Sequence, residues 1–272
     1  MGELVEKGSI LVIVNPAWEE IEWLEHCFTT REGGISIGAY TSLNLGLHTD
    51  DNPENVRENR ARLAGAFSFM PDAFVCAEQI HGNKVAVVTG KDRGRGAMQN
   101  EDALQETDGM VTDNASLPLL SFYADCVPVM VIDRNKRAIG IGHAGWKGTL
   151  ERIGAELVAQ FRRAFNSNPE ELEAWIGPAI GACCYEVDDR VSKPFQKEFP
   201  FFASIYQPTE GERGYLDLKE TNRRILLKAG LRETRVTVSK LCTSCQQELF
   251  FSYRRDGRCG RMGALLNIKR GG

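Results

Sequence analysis

The sequence lacks three features that would indicate a nucleic-acid-binding, membrane or secreted protein. Positive charge is not in excess, because the formal net charge is -4 and the isoelectric point is about 5.7. Long apolar runs are missing, and Ile10 to Val14 is far too short to span a bilayer. No basic segment followed by a long apolar stretch opens the chain, which predicts a cytoplasmic protein without a secretion signal. This balance favours a small-molecule substrate.

Internal repeats, low-complexity tracts and a proline- or serine-rich linker are absent as well. We therefore expect residues 1–272 to form a single domain, which at this length can bury a large core. Short apolar segments outnumber helical patterns, and this predicts an α+β fold of mixed β-sheets with helices on their outer faces. Eight cysteines without a secretion signal favour reduced thiols, catalysis or metal binding over a disulfide framework.

The predicted helices begin at capping residues, and the predicted strands follow the short apolar segments. Asn52 before Pro53 is typical of a helix start, and Asp217 opens a capping box. Thr149 is the predicted N-cap of a helix over residues 150–165. The segment 90–106 has no apolar period, which predicts an exposed excursion. Strands are predicted at 10–14, 21–28, 73–77, 84–88, 108–112, 117–123, 127–132, 138–142, 172–176, 235–239 and 264–268.

Three chemically reactive side chains stand where predicted strands end, namely His81, Cys126 and His143. If they meet, they can hold zinc and leave a fourth coordination position open, as catalytic zinc sites do. Two histidines and a thiolate also suit copper. A third interpretation makes Cys126 a thiolate nucleophile with His143 as its base. The separations of 45 and 17 residues form no compact metal signature, so spacing does not decide among these readings.

The remaining cysteines and the glycine-rich turn after His143 carry weaker signals. Residues 144–148 join a predicted strand to a helix start, where amide groups favour an anion and Lys147 adds charge.

The adjacent pair Cys183-Cys184 is predicted to consist of small buried hydrophobes. Cys242-Thr243-Ser244-Cys245 is half of a zinc site or a redox pair, but no second pair or nearby histidine completes it. We favour a structural role, a helix capping box before residues 248–251.

Eight motifs, in this order, resemble those of the bacterial YfiH/YlmD-like family, also called laccase-domain or polyphenol oxidase-like proteins. They are TREGGIS, SLNLG, QIHG, DGMVT, ADCVPV, HAGWKG, IGPAIGACCYEV and the final GRM, and they span nearly the whole chain. The resemblance implies α/β/β/α layers, similar to the catalytic domain of cytotoxic necrotizing factor toxins. It also implies that His81, Cys126 and His143 are zinc ligands. One departure is Lys147, where arginine is frequent in the family.

The resemblance further implies a purine nucleoside enzyme. The expected reactions are phosphorolysis of adenosine, inosine, guanosine and methylthioadenosine, and deamination of adenosine. Zinc is the expected cofactor, with copper as the alternative, and the expected partners are purine nucleosides and phosphate. We expect no nucleic acid or membrane partner, and a monomer or weak homo-oligomer. Asp125 is the candidate for proton transfer. The residues predicted to contact substrate are Arg31, Asn44, Gln79, Lys147 and Arg261.

Three other functions are compatible with the same residues. A metal-free cysteine hydrolase or amidase, acting on a peptide or cell-wall precursor, would use Cys126 and His143. A non-enzymatic module would bind a nucleoside or metal without turnover. A copper-linked polyphenol oxidase is the third, but the four histidines are too few for the copper cluster of conventional multicopper oxidases.

Overall fold

The fold, taken from a computed structural model that describes residues 2–270, is built around two sheets packed face to face. Short strands alternate with loops, as the sequence predicts, and the strands are Glu3–Lys7 (β1), Ile10–Val14 (β2), Leu24–Thr29 (β3), Val85–Val87 (β4), Gly109–Thr112 (β5), Leu119–Tyr123 (β6), Val127–Asp133 (β7), Ala138–Ala144 (β8), Glu173–Ile176 (β9), Glu186–Asp188 (β10), Tyr206–Pro208 (β11), Arg213–Leu216 (β12), Val236–Val238 (β13) and Met262–Ile268 (β14). The helices are Pro53–Ala66 (α1), Trp146–Leu150 (α2), Ile153–Phe165 (α3), Asp189–Glu198 (α4), Leu218–Lys228 (α5) and Tyr253–Asp256 (α6).

The first sheet has the order β1-β2-β3-β14-β6 and is antiparallel throughout. The second has the order β13-β9-β7-β8-β5-β4, with parallel pairs at both of its edges, so it is mixed. Strands β10, β12 and β11 form a small third sheet beside them. Among residues 2–270, no helix combines the length and the apolar character needed to cross a bilayer.

The side chains of β7 show how the layers are packed. Met130 and Ile132 point into a core shared with Phe28 and Leu266 of the first sheet. The alternate residues of β7, including Val129, lie in a second core with helices α3 and α5. A third core packs α1 against the far face of the first sheet. The order of layers is therefore helix, sheet, sheet, helix, as the family resemblance implies.

Local capping explains where several of these elements begin. The Asn52 side chain accepts a hydrogen bond from the Glu54 amide, and Asp217 accepts one from the Glu220 amide at 2.9 Å. The predicted cap at Thr149 is wrong, because Thr149 lies inside the short helix α2. Helix α3 instead follows Arg152, whose backbone has a left-handed conformation with φ of 60°.

Four further expectations are corrected by the structure. Residues 73–77 form isolated bridges rather than a strand, and residues 248–251 after the turn at Cys242 form no helix. The excursion 90–106 is only partly exposed, since Ala97, Ala103 and Leu104 are buried. Cys183 and Cys184 are not buried hydrophobes, because Cys183 is exposed and Cys184 is partly exposed. These errors arise because tertiary contacts decide burial and strand pairing.

Candidate active site

His81, Cys126 and His143 meet at one edge of the paired sheets. Cys126 occupies the tight turn between β6 and β7, His143 is the penultimate residue of β8, and His81 lies in the loop before β4. Each residue offers a ligand atom, and the three atoms lie within 4.8 Å of one another. The two imidazole rings are 4.8 Å apart between centroids. The three positions singled out in the sequence therefore converge, and their donor atoms suit zinc or copper.

Asp108 holds two of these three residues in place. Its Oδ1 lies 2.9 Å from Nδ1 of His143, so the Nδ1–H group donates there and Nε2 is the ring nitrogen left for a metal. The same carboxylate accepts hydrogen bonds from the amides of Ile80, His81 and Gly82 at 3.1, 2.9 and 2.8 Å. His81 has a positive φ of 66°, a conformation that is uncommon outside glycine and that these bonds maintain.

Without a metal, the trio carries separated charge. Burial raises the pKa of the Cys126 thiol, but the neighbouring His143 and His81 outweigh that effect and lower it to about 6. Burial lowers the pKa of the His143 imidazole, but the attraction of Cys126 and Asp108 outweighs that effect and raises the pKa to about 9. Cys126 is therefore a thiolate at neutral pH. This is the form in which cysteine binds metal ions or acts as a nucleophile.

Gly145 allows the backbone after β8 to approach the trio closely. A Cβ atom at this position would lie 2.8 Å from Cδ2 of His81 and 3.2 Å from the sulfur of Cys126. The next glycine, Gly148, is similarly crowded by the carbonyl oxygen of Gly82 at 2.8 Å. The glycines of the HAGWKG motif therefore serve close packing around the site.

The trio lines a cavity of about 780 Å³, within the size range of ligand pockets. Apolar and aromatic side chains form much of its wall, including Phe122, Trp146, Tyr185 and Tyr253. Three arginines also line it, namely Arg190, Arg254 and Arg261. The cavity can thus accept a ligand that has both a flat apolar part and an anionic part.

Three other residues predicted from the sequence also line this cavity: Asp125, Gln79 and Arg261. The carboxylate of Asp125 accepts hydrogen bonds from the Thr243 hydroxyl at 2.7 Å, the Ser252 hydroxyl at 3.0 Å and the Arg254 amide at 2.7 Å. All three donors lie within residues 243–254, far along the chain from Asp125. Asp125 therefore fixes this segment beside Cys126.

Gln79 and Arg261 differ in how much of their hydrogen-bonding capacity is left for a ligand. The Gln79 side chain pairs with the backbone of Phe122, donating at 2.9 Å and accepting at 2.8 Å. Arg261 donates through one terminal nitrogen to the carbonyl oxygens of Cys259 and Gly260. Its guanidinium has five N–H donors, so donors remain for an anion in the cavity.

Arg31, Asn44 and Lys147 are not among the residues that line the cavity. Asn44 is fully buried, and its amide bonds to Thr49, Asp51 and the backbone amides of Gly46 and Arg261, which leaves no group free for a ligand. Lys147 is exposed, with its ammonium 5.6 Å from the Trp146 ring centroid.

Arg31 lies in a separate surface depression. Its guanidinium stacks on the Phe251 ring at 4.7 Å and donates to the carbonyl oxygens of Thr41 and Gln247. For Arg31, Asn44 and Lys147, the structure therefore offers no direct contact with a ligand held in the cavity.

Three residues at the site, Asp108, Arg254 and His48, were not predicted from the sequence as site residues. His48 lines the cavity 5.8 Å from the Phe122 ring centroid, and it follows the SLNLG motif by two residues. Asp108 opens the DGMVT motif, so a carboxylate at the start of a strand was an available signal. Arg254 lies in the basic segment 254–261, whose arginines cannot be ranked without the fold.

Residues 25–269 match the family model described as "Multi-copper polyphenol oxidoreductase laccase". The chain belongs to this family. The protein named purine nucleoside phosphorylase YlmD of Bacillus subtilis (strain 168) is 42% identical over 244 residues, which cover 89% of this chain and 87% of that protein. Purine nucleoside phosphorylase YfiH of Escherichia coli (strain K12) is 33% identical, over 93% of this chain and 98% of its own length.

The crystal structure of YlmD from Geobacillus stearothermophilus matches with a TM-score of 0.93 and 37% identity. It covers 99% of this chain and 100% of that one. The predicted resemblance to YfiH/YlmD-like proteins and the predicted α+β class are thereby confirmed. The family model and the clustered ligand groups together support a metal, without fixing zinc or copper.

Proposed function

We propose that this protein is a zinc-dependent purine nucleoside phosphorylase that also deaminates adenosine. The proposed nucleosides are adenosine, inosine, guanosine and methylthioadenosine. The observation that carries the proposal is the convergence of His81, Cys126 and His143 in a cavity that also contains aromatic rings and arginines. Relatives aligned over almost the whole chain bear the name purine nucleoside phosphorylase, which supports the same assignment.

The cavity wall suits both parts of the substrate pair. Tyr185 and Tyr253 supply rings on which a purine can stack, while the arginines match the charge of phosphate. Arg254 and Arg261 take the phosphate-binding role in this proposal, because they line the cavity whereas Lys147 and Arg31 do not. A guanidinium can bind a phosphate with two parallel hydrogen bonds, which fixes its orientation as well as its position.

In phosphorolysis, a phosphate oxygen bonds to ribose C1′ while the bond from C1′ to purine N9 breaks. The leaving base keeps the bonding electrons and gains a proton. Asp125 is our candidate for proton transfer, since it directly precedes Cys126 and lines the cavity. Its three hydrogen bonds fix the orientation of the carboxylate relative to the substrate.

A zinc ion held by His81, Cys126 and His143 would supply a Lewis acid and lower the pKa of a coordinated water to about 7, which deamination at C6 of adenosine requires. The protein's own part is to prepare the ligands. Asp108 fixes the tautomer of His143, and the two histidines keep Cys126 ionised.

Incubation of the purified protein with adenosine, with and without phosphate, tests this proposal. Adenine and ribose 1-phosphate should form only when phosphate is supplied, whereas inosine should form either way. Cys126→Ala should abolish both activities and lower the zinc content, measured by elemental analysis, by the equivalent that the trio holds. Cys27→Ala is a suitable control, because Cys27 is a buried cysteine of the first sheet far from these ligands in sequence. Equal zinc content in Cys126→Ala and the parent protein would remove Cys126 from the ligand set.

A metal-free cysteine hydrolase is the second candidate, and the Cys126 thiolate beside His143 favours it. Such an enzyme would retain peptidase or amidase activity after exhaustive chelation and lose it after alkylation of Cys126. Loss of all activity on chelation, with recovery when zinc is added, would exclude it.

A copper-linked polyphenol oxidase finds less support in the arrangement of the histidines. His26 is buried against Trp18 and Trp175 in the core, so only His48, His81 and His143 line the cavity. Loading the protein with copper and measuring oxidation of a phenol tests this alternative.

A further inference from the structure

Four cysteines from two distant parts of the chain come together outside the trio. Cys183 and Cys184 lie in the turn after β9, and Cys242 and Cys245 lie in the turn after β13. Because β9 and β13 are parallel neighbours, both turns follow the carboxyl ends of their strands on the same side of the sheet. The pairing continues past the strands as a bridge between Ala179 and Cys242. The parallel pair therefore supplies the missing second half of the Cys-x-x-Cys motif.

The four sulfur atoms lie within 4.8 Å of one another. The sulfur of Cys245 is 3.4 Å from that of Cys183 and 3.3 Å from that of Cys184. In a tetrahedral zinc site with zinc–sulfur bonds of about 2.3 Å, neighbouring sulfurs are about 3.8 Å apart. The cluster has that size already, so closing it around an ion needs only small side-chain adjustments.

We propose that Cys183, Cys184, Cys242 and Cys245 bind a second zinc ion as a closed tetrathiolate site. Four protein ligands leave no coordination position for a reactant, so this site is structural, unlike the open trio. Four sulfur donors select zinc or iron over magnesium, calcium or manganese.

The backbone around Cys242 stabilises its thiolate. The amide of Gly181 donates a hydrogen bond to the sulfur of Cys242 at 3.2 Å. A Cβ atom on Gly181 would lie 3.1 Å from the sulfur of Cys183 and 3.5 Å from that of Cys242, so the backbone at Gly181 packs closely against the cluster. Lys219 is 8% exposed, and its ammonium donates to the carbonyl oxygens of Ser239 and Leu241. A buried cation therefore lies beside the segment that leads into Cys242.

A disulfide accounts for the geometry less well than a metal does. The sulfur of Cys245 is nearly equidistant from those of Cys183 and Cys184, and both distances exceed the 2.05 Å of a disulfide bond. A single disulfide would also leave two of the four converging thiols without a role. Simple packing is excluded as the reason for the cluster, because Cys183 and Cys245 are exposed.

The second ion would fix one wall of the active-site cavity. Ile180, next to Gly181, donates its amide to the carbonyl oxygen of Asp125 at 3.0 Å. Thr243, within the Cys-x-x-Cys turn, donates its hydroxyl to the Asp125 carboxylate at 2.7 Å. Both turns joined by the cluster therefore also hold Asp125, the residue before Cys126. Tyr185, the residue after the cysteine pair, lines the cavity itself.

Zinc content per chain, measured on protein purified under reducing conditions without chelators, tests the proposal. The parent protein should contain about two equivalents, one for each cluster. The double variant Cys183→Ser/Cys245→Ser should lose about one equivalent and retain the other. Ser244 lies between two of the proposed ligands, and its hydroxyl makes no hydrogen bond to residues 2–270, so Ser244→Ala should keep both equivalents.

Cobalt substitution keeps the test decisive if the cysteine variant does not fold. In the variant Cys126→Ala/His143→Ala, any thiolate-to-cobalt absorption must come from the four-cysteine cluster. We expect that absorption, with the visible bands of tetrahedral cobalt. Its absence, or an intact disulfide found by mass spectrometry of the reduced-purified parent protein, would overturn the proposal. Iron in place of zinc would overturn the choice of metal. Neither measurement depends on nucleoside turnover, so failure of the proposed enzymatic activity leaves the result readable.

Discussion

Asp108→Asn is the perturbation that most directly tests how the candidate active site is assembled. The Asp108 carboxylate accepts four hydrogen bonds, from His143 and from the amides of Ile80, His81 and Gly82. Asparagine has almost the same shape but replaces one acceptor oxygen with a donor. Since each carboxylate oxygen accepts two of these bonds, either orientation of the amide loses two of them. A nitrogen in place of Oδ1 removes the acceptors for His143 and the His81 amide, and a nitrogen in place of Oδ2 removes those for the Ile80 and Gly82 amides. The loop that carries His81 is therefore weakened in either orientation.

The expected loss in zinc affinity is about 10–100-fold, the usual consequence of removing a partner of a ligating histidine. This corresponds to about 1.4–2.7 kcal/mol of binding free energy. Competition titration against a chromophoric chelator measures the effect. Circular dichroism and thermal unfolding of the zinc-free variant verify that the fold persists.

Asp113→Asn is the matched control. Asp108 directly precedes β5 and Asp113 directly follows it, but Asp113 is exposed. It should bind zinc like the parent protein. If Asp108→Asn also binds zinc within about twofold of the parent protein, well short of the expected loss of about 10–100-fold, then Asp108 does not orient these ligands.

Three further outcomes follow from the structure. Gly145→Ala should reduce zinc content, because the new Cβ would press on two proposed ligands, whereas Gly65→Ala, with no atom within 4 Å of its Cβ, should not. Arg261→Met should raise the KM for phosphate several-fold, and Lys147→Met should leave it nearly unchanged, because Arg261 lines the cavity and Lys147 does not. Equal effects in both variants would contradict the phosphate-binding role of Arg261. Burial lowers the pKa of His26 from 6.5 to about 4, so the unfolded chain binds this proton first as the pH falls. The free energy of unfolding should therefore fall by about 3 kcal/mol between about pH 6.5 and 4 because of this group. Urea unfolding of His26→Gln over the same pH range should show a smaller fall.

Much of the fold could be predicted because local signals and burial agreed. Asn52 and Asp217 cap helices at the predicted positions, and strands β7 and β8 follow their apolar segments closely. Helix α4 was missed because Pro194 lies inside it and its apolar stripe is narrow. Residues 73–77 are apolar yet form only isolated bridges, since the available partner positions extend over single residues. The periodicity of apolar residues indicates which side chains are buried, whereas strand pairing depends on which segments the fold places side by side.

The same distinction applies to the sites. The sequence by itself determined which residues can bind a metal, because only cysteine, histidine and carboxylate side chains have suitable donors, and the family motifs marked His81, Cys126 and His143. Tertiary structure alone decided which donors meet. It made Asp108 the partner of His143, left Asn44 without a free hydrogen-bonding group, and brought Cys184 to Cys242 through a parallel strand pair. Spacing along the chain does not encode such convergence, because sheet pairing joins segments that are distant in sequence.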